Sequence, residues 1–198
     1  MYVDASTLSP AETYRLLVGS VVPRPIAWVT SGLDVINLAP FSSFAWVSQH
    51  PAMLGFTVNR RADRRKDTVV NIEEVGEYVV NIASADMLAA LHASSEFLDP
   101  AESEAERVGM ALAPSRVVRV PRLRDVPVAM ECRFHSTTAF SPTGGEFVVG
   151  TVVAWHIADD VLTGGRIDTE KVNPLGRLAG PRYTTLGDIT ELPPVPGG

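Results

Sequence analysis

Between Val128 and Ile157 the chain carries the pattern of two long strands folded back on each other. Val128, Met130, Cys132 and Phe134 fall at alternate positions, so a strand over 128–138 places them on one face. Gly144-Gly145 supplies the reversal, and Phe147 to Ile157 forms the return strand. This fixes the second half of the chain as antiparallel β-structure.

The first half adds shorter pieces. Ser9-Pro10-Ala11-Glu12 reads as a helix start, with Ser9 as N-cap, Pro10 at the first helical position and Glu12 closing a capping box. That helix is predicted to end near Gly19. Pro23-Arg24-Pro25 then forces extended backbone. Strands are predicted over 26–30, in a short run to Leu38, and over 52–58, 77–82 and 117–120. Val69, Ile72 and Val75 have helical spacing, so 67–75 is predicted as a helix that Gly76 ends. Residues 86–93 are helical by composition, and 95–114 have no clear pattern. The Pro-rich end, Leu192 to Gly198 in a tail over 184–198, is expected to be mobile.

Many strands, tight turns and few intervening helices argue for a mainly β (α+β) antiparallel barrel. No G-x-G-x-x-G follows a first strand, so a dinucleotide-binding doubly wound sheet has no support. No repeat or linker divides the 198 residues, which reads as a single domain over 1–198. The net charge of −6 argues against general nucleic-acid binding. No apolar run approaches the ~18–20 residues that cross a membrane. The N-terminus has early acids and no signal-peptide core. The single cysteine, Cys132, excludes an internal disulfide and fits a cytoplasmic setting. It lies on the apolar face, as a buried inert thiol would. Trp28 and Trp155 are read as barrel core. The four histidines have no metal-ligand spacing, so no metal is expected.

Two segments could carry chemistry. From Arg60 to Lys66, five of seven residues are Lys or Arg in an acidic chain, and the run leads into the helix at Asp67. A helix N-terminus with Lys66, arginine forks and the Thr68 hydroxyl makes a phosphate cradle. Asp67 would cap the helix or pair with an arginine. A solvated basic loop is the plainer reading. The second segment, Asn37 to Trp46, interleaves small hydroxyl residues with aromatics. That mix suits a flat ring with polar edges; a loop with core aromatics is the alternative.

Taken in order, Val22-Pro23-Arg24-Pro25-Ile26-Ala27-Trp28-Val29-Thr30, Asn37-Leu38-Ala39-Pro40-Phe41-Ser42-Ser43-Phe44, Arg65-Lys66-Asp67-Thr68, Glu77-Tyr78-Val79-Val80-Asn81 and the tail Asn173 to Tyr183 resemble the flavin reductase-like, FMN-binding split-barrel family, flavoredoxin-type branch. The resemblance runs from about Pro23 to Tyr183. Two departures stand out: a short Ser31–Val35 hairpin, and Ala179 where the family pattern has glycine.

The resemblance implies a six-stranded antiparallel Greek-key split barrel with flanking helices. It also implies a homodimer with FMN at the subunit interface. It puts Arg24, Pro25 and Ala27 near the cofactor. Ser42, Ser43 and Phe44 join them, with Ala45 and Trp46 just beyond. Lys66, Asp67 and Thr68 fall at the phosphate, with Asn59 and Arg60 as neighbours. The implied activity is NAD(P)H:FMN oxidoreduction, with hydride passing from nicotinamide to flavin N5. An oxygenase or another redox protein would then be a partner. A flavoredoxin-like carrier without NAD(P)H activity and a non-catalytic flavin- or haem-binding barrel are the alternatives. Backbone N–H groups would stabilise the reduced ring, so no catalytic side chain is named. Arg177, Arg182 and Tyr183 form either a cover over the partner's flavin or a surface strap.

Overall fold

The computed structural model describes residues 1–60, 64–140 and 144–194. Residues 61–63 of the basic run, 141–143 before the hairpin glycines and 195–198 of the tail lie outside the described residues.

Seven strands form one antiparallel sheet: β1 Ala27–Ser31, β2 Asn37–Phe41, β3 Phe44–Gln49, β4 Ala52–Asn59, β5 Glu77–Ile82, β6 Val128–Ala139 and β7 Gly145–Ile157. Their spatial order is β2-β1-β5-β6-β7-β4-β3. The two edges, β2 and β3, are consecutive in the chain and joined only by Ser42-Ser43. Two residues span less than ~8 Å, so the sheet must curl until its edges meet at that corner. The result is a split barrel with one pinned seam.

The long hairpin β6–β7 is the spine. Val128, Met130, Cys132 and Phe134 face one core with Phe56, Tyr78 and Val148. A second core lies on the outer face, where Trp28, Leu38 and Val79 pack against Leu91, Val120 and Leu123. Gly150 lets Tyr78 pass: a methyl there would land on the ring and hydroxyl of fully buried Tyr78. Gly150→Ala should therefore destabilise the fold by ~1–3 kcal/mol in urea titration, the usual range for overpacking.

Helix α1, Pro10–Ser20, starts with the expected capping box: the Glu12 N–H donates to Ser9 Oγ, and the Ser9 N–H to Glu12 Oε2. Helix α2, Asp67–Val75, ends at Gly76 with φ +75°, a left-handed conformation that favours glycine. Helix α3, Leu88–Ala93, and the short α4, Glu104–Arg107, flank the outer core.

Three expectations change, and the tail takes a defined path. The sheet has seven strands rather than six, because Phe44–Gln49 is an edge strand. Val117–Val120 is not a strand: the N–H groups of Arg116, Val117 and Val118 turn inward at 2.7–2.9 Å onto the Glu131 carboxylate. Trp155 is half-exposed instead of core, whereas Trp28 is fully buried. The C-terminal region is a strap: Gly176–Arg177 pairs with Arg24–Pro25, and Tyr183–Thr184 pairs with Gly176–Arg177. Cys132 is buried, and burial pushes its thiol up to about 12. No described helix is long and apolar enough to cross a membrane.

Candidate functional site

The split-barrel seam brings the two chemical segments together. Strand β2 delivers Ala39 and Pro40 to a small recess of about 40 Å³, facing Lys66, Asp67 and Thr68 at the start of α2. Lys66 is the N-cap residue, and no side chain caps the helix. First-turn N–H groups left without a side-chain cap are anion donors. Lys66 Nζ lies 5.6 Å from the Phe41 ring centroid and 5.3 Å from that of Phe97.

The described arginines of the basic run, Arg60, Arg64 and Arg65, each lie against an acid. Arg65 forks onto Glu73 at 2.7 and 2.8 Å and reaches Glu146 at 3.0 Å, which raises its affinity for the proton. Arg60 meets the same Glu146 at 3.2 Å. Arg64 lies 3.9 Å from Asp67. Asp67 thus pairs with an arginine and sits at the first helical position rather than capping the helix.

Beneath the recess is a buried polar network. Thr68 donates its hydroxyl to Asn37 Oδ1 at 2.6 Å, and Asn37 Nδ2 lies 3.0 Å from both oxygens of Glu104. The Leu38 N–H donates to Glu104 as well. Burial raises the Glu104 pKa, opposed by these donors and assisted by the charge of Asp67. The Thr68 hydroxyl faces this network, so its contribution to an anion would be its N–H. A larger hollow alongside, about 430 Å³, carries Asp34, Asp67, Glu74, Asp99, Glu102 and Glu104. Asp67 and Glu104 line the recess as well, together with Glu96, so what favours an anion there is Lys66 and the first-turn N–H groups.

From the recess an open surface runs along the seam. Ser43 is exposed, and its carbonyl accepts from the Thr57 N–H at 2.8 Å. Phe44, Ala45 and Trp46 follow on β3, opposite Phe56, Gly55 and Leu54. Trp46 is 70% exposed, an unusual state for an indole. Arg24 and Pro25 pass beside β3, and Ala27 is buried opposite Phe41. The Arg24 guanidinium is tied to the carbonyls of Val18, Val21 and Leu178 at 2.6–3.1 Å, so it locks α1 and the tail against the seam. Asn59 ends β4 opposite Gly145.

Residues 18–173 match the family described as flavin reductase like domain. The chain belongs to that family. A protein from Halalkalibacterium halodurans, BH2278, is 40% identical over 97% of this chain and 95% of its own length. Nitrilotriacetate monooxygenase component B from Bacillus cereus superposes with a TM-score of 0.92 at 34% identity, covering 97% of this chain and 98% of that one. The 2-nitrobenzoate 2-nitroreductase NbaA of Pseudomonas fluorescens gives 0.90 at 32%, covering 100% and 98%.

For a flavin reductase-like chain, the site contains residues that sequence reading missed. Ser94 to Phe97, after α3, form the recess wall opposite Pro40. Glu104 comes from a stretch without periodicity. The available signal was the Ser103-Glu104-Ala105-Glu106 pattern of a Ser-capped helix start. Arg177 and Tyr183 contact each other through the guanidinium and phenol, and the Tyr183 hydroxyl meets His92 Nδ1 at 2.9 Å. These contacts tie the tail to α3 within this chain.

Proposed function

We propose that this chain binds FMN along the seam and works as an NAD(P)H-dependent flavin reductase. The observation that carries the reading is the juxtaposition of an α2 start without a side-chain cap, bearing Lys66, with the open Ser42–Trp46 surface. A phosphate at Lys66 would take N–H donors from Asp67 and Thr68. Ser42 and Ser43 would meet polar edges of the flavin, while Phe44, Ala45 and Trp46 wall its ring. Asn59 and Arg60 would border the phosphate end and Pro25 the opposite side, while Ala27, fully buried opposite Phe41, would support that side from within the core. Arg24 holds that side in place. When bound, FMN supplies the N5 that takes hydride from a nicotinamide. The protein orients the ring and offers backbone N–H groups to its developing negative charge.

Exposed apolar side chains support a homodimer. Trp46 and Val47 on β3, and Tyr14, Leu16 and Leu17 on α1, all face outward, and no residue of α1 is buried. A second copy covering them would also close the flavin edge. The likeness to a monooxygenase component B favours an oxygenase as the acceptor of reduced flavin.

Purified protein with added FMN should oxidise NADH or NADPH, followed at 340 nm as nicotinamide absorbance falls, roughly in proportion to enzyme. FMN binding without oxidation of either nicotinamide would replace this reading with that of an electron carrier.

A further inference from the structure

The far end of the long hairpin holds a second pocket. Gly145 pairs with Asn59 at the flavin end of β7, and Trp155 pairs with Met130 near the other end. Trp46 pairs with Leu54 and Leu54 with Gly150, so at ~3.3 Å per residue Trp155 lies roughly 17 Å further along β7 than the flavin surface. There Arg116, Arg122 and Arg124 meet Trp155 and His156 around a hollow of about 330 Å³. That volume suits a small organic ligand.

Some described arginines are neutralised by an acid and others, Arg24 and Arg177 among them, are not. Arg60, Arg65, Arg107 and Arg119 each lie within ion-pair distance of a glutamate. Arg116, Arg122 and Arg124 have no carboxylate partner among the described residues. Arg122 Nη1 donates to the Leu123 and Arg124 carbonyls, and Arg124 Nη2 to that of Leu112. Those bonds fix the guanidiniums without neutralising them. Arg122 Nε is buried and has no hydrogen-bond partner.

The adjacent acid meets the pocket's His156 and none of the three guanidiniums. Glu131 is fully buried, and its oxygens take the N–H groups of Arg116, Val117 and Val118 and His156 Nε2. The next hollow, which shares Ala158, carries Asp86, Asp125, Asp160 and Lys171. The three guanidiniums thus gather on one side of Ala158 and the aspartates on the other, in a chain whose net charge is −6.

We propose that this pocket binds a phosphorylated nucleoside, with its base on the Trp155 indole and its phosphate oxygens on Arg116, Arg122 and Arg124. Guanidinium forks match phosphate oxygens in pairs. An exposed indole stacks on any heteroaromatic base. An aromatic monocarboxylate carries too little charge for three guanidiniums, and inorganic phosphate leaves Trp155 uncovered.

Titration calorimetry of FMN-loaded protein at low salt tests this, using ADP, adenosine and pyrophosphate as probes. ADP should bind once per chain. Adenosine and pyrophosphate should each bind at least ~10-fold more weakly. The double variant Arg116→Ala, Arg124→Ala should weaken ADP by ~10-fold or more, since it keeps the Arg116 N–H that holds Glu131. Trp155→Leu should weaken ADP and leave pyrophosphate unchanged. Both variants should melt as the parent does and keep its FMN affinity, because all three side chains lie outside the flavin seam. No heat with ADP overturns the proposal. So does displacement of FMN by ADP, or pyrophosphate binding as tightly as ADP. Binding of polyglutamate without an ADP response would identify a protein-docking patch instead.

Discussion

Glu131→Ala should lower the unfolding free energy by ~3–5 kcal/mol, the cost of breaking a buried charged network from one side. Glu131 is fully buried on β6 and anchors the 116–118 loop through three N–H groups at 2.7–2.9 Å. His156 Nε2 meets the same carboxylate at 2.5 Å. Removing it leaves these donors facing a cavity under the outer core. Glu131→Gln keeps the volume but turns an NH2 group against donors, so a smaller loss of ~2 kcal/mol is expected.

The same residue sets an acid limit. Burial alone would raise its pKa. The Arg116 N–H, His156 and the Val118 and Val117 N–H groups outweigh that and hold it at about 2, from 4.5. Because the folded value is depressed, the stabilisation is present above pH ~4.5 and is lost as pH falls toward 2. The integrated contribution is roughly 3 kcal/mol. Urea midpoints between pH 7 and pH 3 should fall steeply for the parent and less for Glu131→Gln. Parallel slopes would show that another acid dominates.

Lys66→Ala should weaken FMN by ~10- to 100-fold, the worth of one charge-assisted contact to phosphate, and leave riboflavin nearly unchanged. Lys66 caps α2 only through its backbone, and its side chain points over Phe41 and Phe97. The substitution therefore removes the charge while the N–H donors stay. Thermal melts of the flavin-free variant should match the parent. Equal losses for both flavins would move the phosphate away from α2.

Much of this fold is legible in the chain because local chemistry and tertiary demand agree. The alternation at Val128, Met130, Cys132 and Phe134 is the barrel core itself. Helix α2 and the Ser9–Glu12 capping box follow from residues within one turn. Elsewhere the deciding partner is distant. Val117–Val120 has strand composition, but Glu131, more than ten residues away, claims its N–H groups. Phe44–Gln49 is an edge strand with a largely exposed surface, so it shows no alternation. In the basic run, side-chain charge suggested several phosphate ligands. Glu73 and Glu146 take Arg65 and Arg60, and only folding brings those acids near. The Ser94–Phe97 wall and Glu104 were invisible for the same reason: their place beside Pro40 is set by how α3 and α4 pack on β2.

The central claim is that the start of α2 reads the phosphate of a flavin lying on the seam. Titrating flavin-free protein with FMN and with riboflavin tests it most directly, since the two differ only by that phosphate. The account predicts FMN binding at least ~10-fold tighter, with the difference shrinking as salt rises. Equal affinity for the two flavins, or no binding of either, would contradict it.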